Sequence, residues 1–183
     1  MNTFPIPQRE NVSPANQTIF DGIKKSVGFV PNLYAIFAHS ENALGNYLNL
    51  QSGKSTLRAK EKEVISLVVS QLNNCEYCLS AHTAIARLNG FSDEQILQIR
   101  RAEISFDRKL DALAKLVKAI VEERGFVRDE LLQNFYFEGY TEASLVETTV
   151  AVGDKVITNY LHALTKVPVD WPVAPKLDEA AAA

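Results

Sequence analysis

The stretch NNCEYCLSAH, residues 73–82, holds both cysteines of a 183-residue chain, three positions apart, and one of its three histidines four positions further on. Three chemistries suit that set. Two thiols at i and i+3 share a helical face and can close into a disulfide with little rearrangement, which makes a dithiol redox centre. Cys75, Cys78 and His82 also supply three ligands for zinc, with Glu63 as a possible fourth. The bland alternative is a pair of buried small hydrophobes that never meet a substrate. Structural zinc usually draws a second ligand pair from a distant segment, and no further cysteine exists here. The pattern therefore favours redox chemistry.

Helix geometry sharpens that reading. Asn73-Asn74 makes a helix entry, so Cys75 falls near the N-cap and Cys78 in the first turn. Unsatisfied N–H groups and the positive end of the helix dipole favour thiolate over thiol there. His82, at i+4 from Cys78, lies above it and can take its proton or hold the thiolate as an ion pair. Cys75 is expected nearer the open end. If the helices on either side of Asn73-Asn74 fold back on each other, Glu63 and His82 lie at matched distances from the turn. With a rise of about 1.5 Å per residue, the mismatch is a few ångströms. Glu63 can then orient His82, giving a carboxylate–imidazole–thiol relay.

The elements that must position these groups read as helices almost throughout. Ser13-Pro14 is a cap with a first-turn proline, and its helix closes at Gly28. Residues 30–50 read as one or two helices with a break near Ser40. Val64, Leu67, Val68 and Leu72 draw one apolar stripe, and the next helix runs from Cys75 to Asn89 with Gly90 as its C′ residue. Ser92 and Gln95 have capping-box spacing. Leu110, Leu113, Val117, Ile120 and Val121 share a face of a helix over 107–124, and a last long helix spans 142–164. No stretch alternates with period two, so the fold class is all-α. GFSDEQIL (90–97) and GYTEASLV (139–146) echo each other, a hint of internal helical duplication. The proline- and alanine-rich tail, 168–183, is expected to lie along the surface or a partner subunit, pinned by Trp171, with a disordered end.

Glu63, eleven residues, Cys75-Glu76-Tyr77-Cys78, three residues and His82 together resemble the signature of the AhpD-like alkylhydroperoxidases, within the carboxymuconolactone decarboxylase superfamily. GFVPNLYAIFAHSENAL (28–44) and VPVDWP (167–172) are similar to the peroxidase-related branch. The resemblance implies a single-domain, all-helical, oligomeric cysteine peroxidase that uses no metal or haem cofactor. It makes Cys78 the peroxidatic thiolate, Cys75 the resolving thiol, and Glu63 with His82 the proton relay. Tyr77 stands where the best-known members carry histidine. It reads as a packing residue at the site mouth, while His162 is either a core or interface residue or a pocket wall. His39 reads as a surface residue.

The remaining features bound the function classes. A composition of 46% apolar and 22% charged residues suits one globular domain of 183 residues. The net charge of −3 gives no electrostatic footprint for nucleic acid or a membrane surface. No basic, apolar leader opens the chain, and a close cysteine pair suits a reducing cytoplasm. The expected partners are a small hydroperoxide, an external thiol or dithiol reductant, and further copies of the chain as a dimer, trimer or hexamer. Two rivals remain: a carboxymuconolactone decarboxylase-like lyase, which does not require the cysteine pair, and a non-catalytic dithiol redox protein.

Overall fold

The computed structural model describes residues 4–177, and among them it holds nine α-helices, one short 3-10 turn and no strand. The helices are α1 (Pro14–Val27), α2 (Asn32–Phe37), α3 (Ala43–Gln51), α4 (Ala59–Leu72), α5 (Glu76–Leu88), α6 (Asp93–Arg101), α7 (Arg108–Glu122), α8 (Asp129–Phe137) and α9 (Glu142–Thr165). The all-α expectation therefore holds. The break expected near Ser40 falls between α2 and α3, and Ser13 caps α1 by accepting from the Asn16 amide at 3.3 Å. No helix among the described residues is long and apolar enough to cross a membrane.

These elements gather into two compact units. One takes the chain up to Lys54 together with Leu161–Asp170; the other takes Ser55–Tyr160 and the chain from Trp171 on. In the first, Phe20, Phe37, Leu44 and Tyr47 form the core, with Phe37 stacked on Tyr47 at 4.6 Å. Asp170 accepts from the backbone amide of Asn32 at 2.7 Å and so satisfies a free N–H at the start of α2. His39 is exposed, with Nε2 on the Pro5 carbonyl at 2.7 Å, in line with its surface reading.

The second unit is built around α4. The single stripe foreseen there is too narrow a description, because Ile65 and Val69 are as buried as Val64, Leu67 and Val68, all at 1% exposure or less. A helix buried on every side is a central one, and α4 packs against α5, α6 and α7. Sequence inspection missed α8 altogether. Only Phe135 is fully buried in it, while Phe137 is 84% exposed, so its apolar residues draw no clean face. The echo between residues 90–97 and 139–146 is real at the level of turns. Gly90 and Gly139 both have φ near +85°, and each precedes a capped helix start, at Ser92–Gln95 and Thr141–Ser144. The helices that follow differ, with 9 residues in α6 and 24 in α9. Of the tail, the Ala174 amide donates to Ser80 Oγ at 3.1 Å and the Pro175 carbonyl accepts from Arg100 at 2.7 Å, both within the second unit. The alanine-rich end lies outside the described residues.

Candidate active site

The turn between α4 and α5 is the origin of the site. Asn74 sits at φ +51°, the left-handed conformation that asparagine tolerates better than most side chains. The Cys75 amide donates to the Ser70 carbonyl at 2.9 Å and the Asn74 amide to Gln71 at 3.1 Å, which is the Schellman pattern. Cys75 thus closes α4 and is at the same time the N-cap of α5, its Sγ accepting from the Cys78 amide at 3.4 Å. With so short a link the two helices fold back on each other. Glu63 on α4 then meets His82 on α5, Oε2 to Nδ1 at 2.8 Å, with both side chains mostly buried. The matched distances from the turn account for this pair.

Both cysteines are free thiols, at 2% and 3% exposure. Cys75 is therefore no closer to solvent than Cys78, because the link that makes it an N-cap also presses it against Ser70. Hydrogen bonding with the Cys75 side chain lowers the Cys78 thiol to about 6, against the opposing effect of burial, and the charge of Lys155 and hydrogen bonding with Asn159 lower it further. Cys75 moves the opposite way: a thiol that donates to its neighbour, in a buried site, holds its proton more tightly. The pair is asymmetric, with the negative charge on Cys78.

Two residues absent from the sequence-based set complete this arrangement, both from α9. Lys155, at 5% exposure, places Nζ 3.0 Å from His82 Nε2. Asn159, at 1%, accepts from Asn73 Nδ2 at 3.0 Å and donates to Ser70 Oγ at 3.2 Å, which fixes its amide. Its side chain also favours the ionised form of both thiols. Lysine and asparagine are normally surface residues on a helix, so residue type hides them. The available signal was their phase: with Thr148 and Val152 they recur at spacings of three and four along one buried face.

Glu63, Cys75, Cys78 and His82 thus come together, and Tyr77 is buried beside them on α5 at 3% exposure. His162 belongs to the first unit, where its Nε2–H donates to the Val167 carbonyl at 3.2 Å. Both ring nitrogens of His82 are engaged. Among the described residues no group of three or more His, Cys, Asp or Glu side chains is arranged to hold a metal ion.

Residues 37–120, just under half of the chain, match the model of the carboxymuconolactone decarboxylase family, and that segment contains Glu63, Cys75, Cys78 and His82. In that segment the chain resembles the carboxymuconolactone decarboxylase family. Solved structures of similar fold span nearly all of it. An uncharacterized peroxidase-related protein from Ralstonia eutropha JMP134 with an alkylhydroperoxidase AhpD core matches at TM-score 0.81 and 16% identity, covering 96% of this chain and 93% of that one. A peroxidase-related protein from Silicibacter sp. TM1040 matches at 0.79 and 19%, covering 96% and 91%. The debrominase Bmp8 matches at 0.77 and 16%, covering 93% of each chain. No curated protein matches the sequence significantly. This helical fold is thus shared by peroxidase-related proteins and by a debrominase.

Proposed function

We propose that this protein is a thiol peroxidase of the AhpD-like type, reducing small hydroperoxides with Cys78. The observation that carries the reading is the asymmetric thiol pair, in which the Cys75 hydrogen bond keeps Cys78 ionised beside an imidazole held by Glu63. Cys78 thiolate attacks the terminal oxygen of ROOH. The O–O bond breaks, sulfur is oxidised to sulfenic acid, and the alkoxide takes one proton to leave as ROH. Cys75 thiol then condenses with the sulfenic acid, losing water and forming the disulfide, which an external thiol or dithiol reopens. Reduced protein mixed with peroxide is expected to lose two thiols per peroxide consumed, with a second-order rate well above that of free cysteine. A rate no faster than free cysteine would leave a non-catalytic dithiol protein.

A second reading draws on the likeness to Bmp8, whose cysteine-to-alanine variant is known in complex with 2,3,4-tribromopyrrole. The same two thiol electrons can reduce a carbon–bromine bond, giving C–H, bromide and the disulfide. Bromide release from a bromopyrrole, without peroxide turnover, would favour it. The lyase alternative makes the opposite demand: lactone turnover that survives Cys78→Ser.

The unit that carries the site also supports self-association. At about 100° per residue, Val146, Val150, Ile157 and Tyr160 fall on one face of α9, and each is between 43% and 64% exposed. Lys155 lies on the opposite face. Such an apolar stripe on a long helix suits a second copy of the chain. Light scattering at micromolar concentration is expected to show an oligomer that Val150→Glu with Ile157→Glu converts to monomer; a wild-type monomer contradicts the proposal.

A further inference from the structure

We infer that Lys155, not His82, is the cation that faces the Cys78 thiolate, and that His82 rests neutral as a proton carrier between Lys155 and the reacting sulfur. The inference rests on Cys78 being the reacting thiolate, as proposed above, but not on which oxidant it meets.

The geometry leaves little freedom. A carboxylate oxygen can only accept, so at 2.8 Å from Glu63 the Nδ1 of His82 must carry a hydrogen. Lys155 Nζ lies 3.0 Å from the other ring nitrogen. An ammonium has donors and no acceptor, so Nε2 is the acceptor and carries no proton. The alternative, a neutral amine accepting from an imidazolium, puts the shared proton on the wrong partner, since a primary amine is a far stronger base than an imidazole. The ammonium has a second anionic neighbour in Asp154, Oδ2 to Nζ at 3.5 Å. Cys78 thus contacts Cys75 through its amide, while His82, one turn further along α5, is held by Glu63 from α4 and by Lys155 from α9, which in turn meets Asp154. Of these, Lys155 alone holds a positive charge while His82 is neutral.

This changes the role of the histidine. Nε2, the atom that would receive a proton from Cys78, is already occupied, so the thiolate needs no imidazolium to form. The proton that the departing alkoxide requires comes from the Lys155–His82 pair. Cys78 thiolate, ROOH and that one proton give Cys78 sulfenic acid and ROH, and the pair regains its proton from solvent. Lys155 is in this sense a positioning residue that sets the charge and the tautomer of the site.

Two measurements on reduced protein test it, neither involving peroxide. Nitrogen NMR of the wild-type imidazole at pH 7 is expected to show His82 singly protonated, on Nδ1; an imidazolium, or a proton resting on Nε2, overturns the inference without any variant having to fold. Alkylation of Cys78 by iodoacetamide at pH 5, below the thiol midpoint, is expected to slow about ten-fold or more in Lys155→Met, equivalent to at least one unit in that midpoint. His82→Gln, which removes no charge, is expected to slow it less. A folded Lys155→Met protein that alkylates like wild type, or a larger loss in His82→Gln, overturns it. If both expected results appear and the wild type still fails to reduce peroxide, the peroxidase reading fails and the charge assignment stands.

Discussion

Replacing Cys78 by serine is expected to lower peroxide reduction by roughly a thousand-fold or more, to the background of buffer. The expectation follows from what the site stabilises. Its hydrogen bonds and the nearby ammonium of Lys155 lower the proton affinity of a thiol to about 6, so a thiolate is present at neutral pH. A serine hydroxyl starts far too high for the same surroundings to ionise it, and an alcohol is a weak nucleophile toward peroxide. The substitution removes one polarizable atom at a position 3% exposed and leaves Glu63–His82 in place, so folding should be little affected. Peroxide consumption by the reduced variant, with circular dichroism as the control, checks this. Residual turnover above a few percent would move the chemistry to Cys75 or out of the pair.

The second large effect is on pH dependence. The largest influence lowering Cys78 is the hydrogen bond from Cys75, so Cys75→Ala should raise the Cys78 midpoint by at least one unit, whereas Cys75→Ser keeps a donor and should largely preserve it. The direction is fixed by the reactive form. Thiolate reactivity is complete above the midpoint and falls ten-fold per pH unit below it. In wild type the alkylation rate of Cys78 therefore climbs through pH 6 and levels near neutrality. In Cys75→Ala the same curve is displaced to higher pH, with about five-fold less thiolate at pH 6 for a one-unit rise from the wild-type midpoint. Serine also preserves the N-cap that Cys75 Sγ provides for the Cys78 amide, a contact whose loss costs a helix about 0.5–2 kcal/mol. A Cys75→Ala curve superimposable on wild type would remove the Cys75 hydrogen bond from the account.

How much of this was legible in the residues themselves depended on distance along the chain. Glu63, Cys75, Cys78 and His82 lie within two helices joined at one turn, and the rise per residue of a helix was enough to bring acid and imidazole together. The same local grammar located Gly28, Gly90 and the Ser92 cap. Lys155 and Asn159, on α9, lie 73 to 89 residues beyond their partners, and the outward face of that helix carries Val146, Val150 and Ile157 while its inward face buries lysine, asparagine and Thr148. That is the reverse of the usual helix pattern, so reading by residue type assigns both faces wrongly. The occupied Nε2 of His82 was invisible for the same reason. The depth of Cys75 was missed because exposure depends on what packs over a turn, not on where the turn stands in the sequence. The loss of α8 had a different cause, a short helix with one fully buried side chain and two exposed aromatics.

One measurement bears most directly on the claim that Cys78 is the sulfur that meets the oxidant. Reduced Cys75→Ser protein, treated with one equivalent of hydroperoxide and a sulfenic-acid trap, is digested and analysed by mass spectrometry. The trapped sulfenic acid is expected on the peptide that carries Cys78, at near-stoichiometric yield within the time wild type takes to form its disulfide. An unmodified Cys78 under conditions that fully oxidise the wild-type pair would contradict that claim.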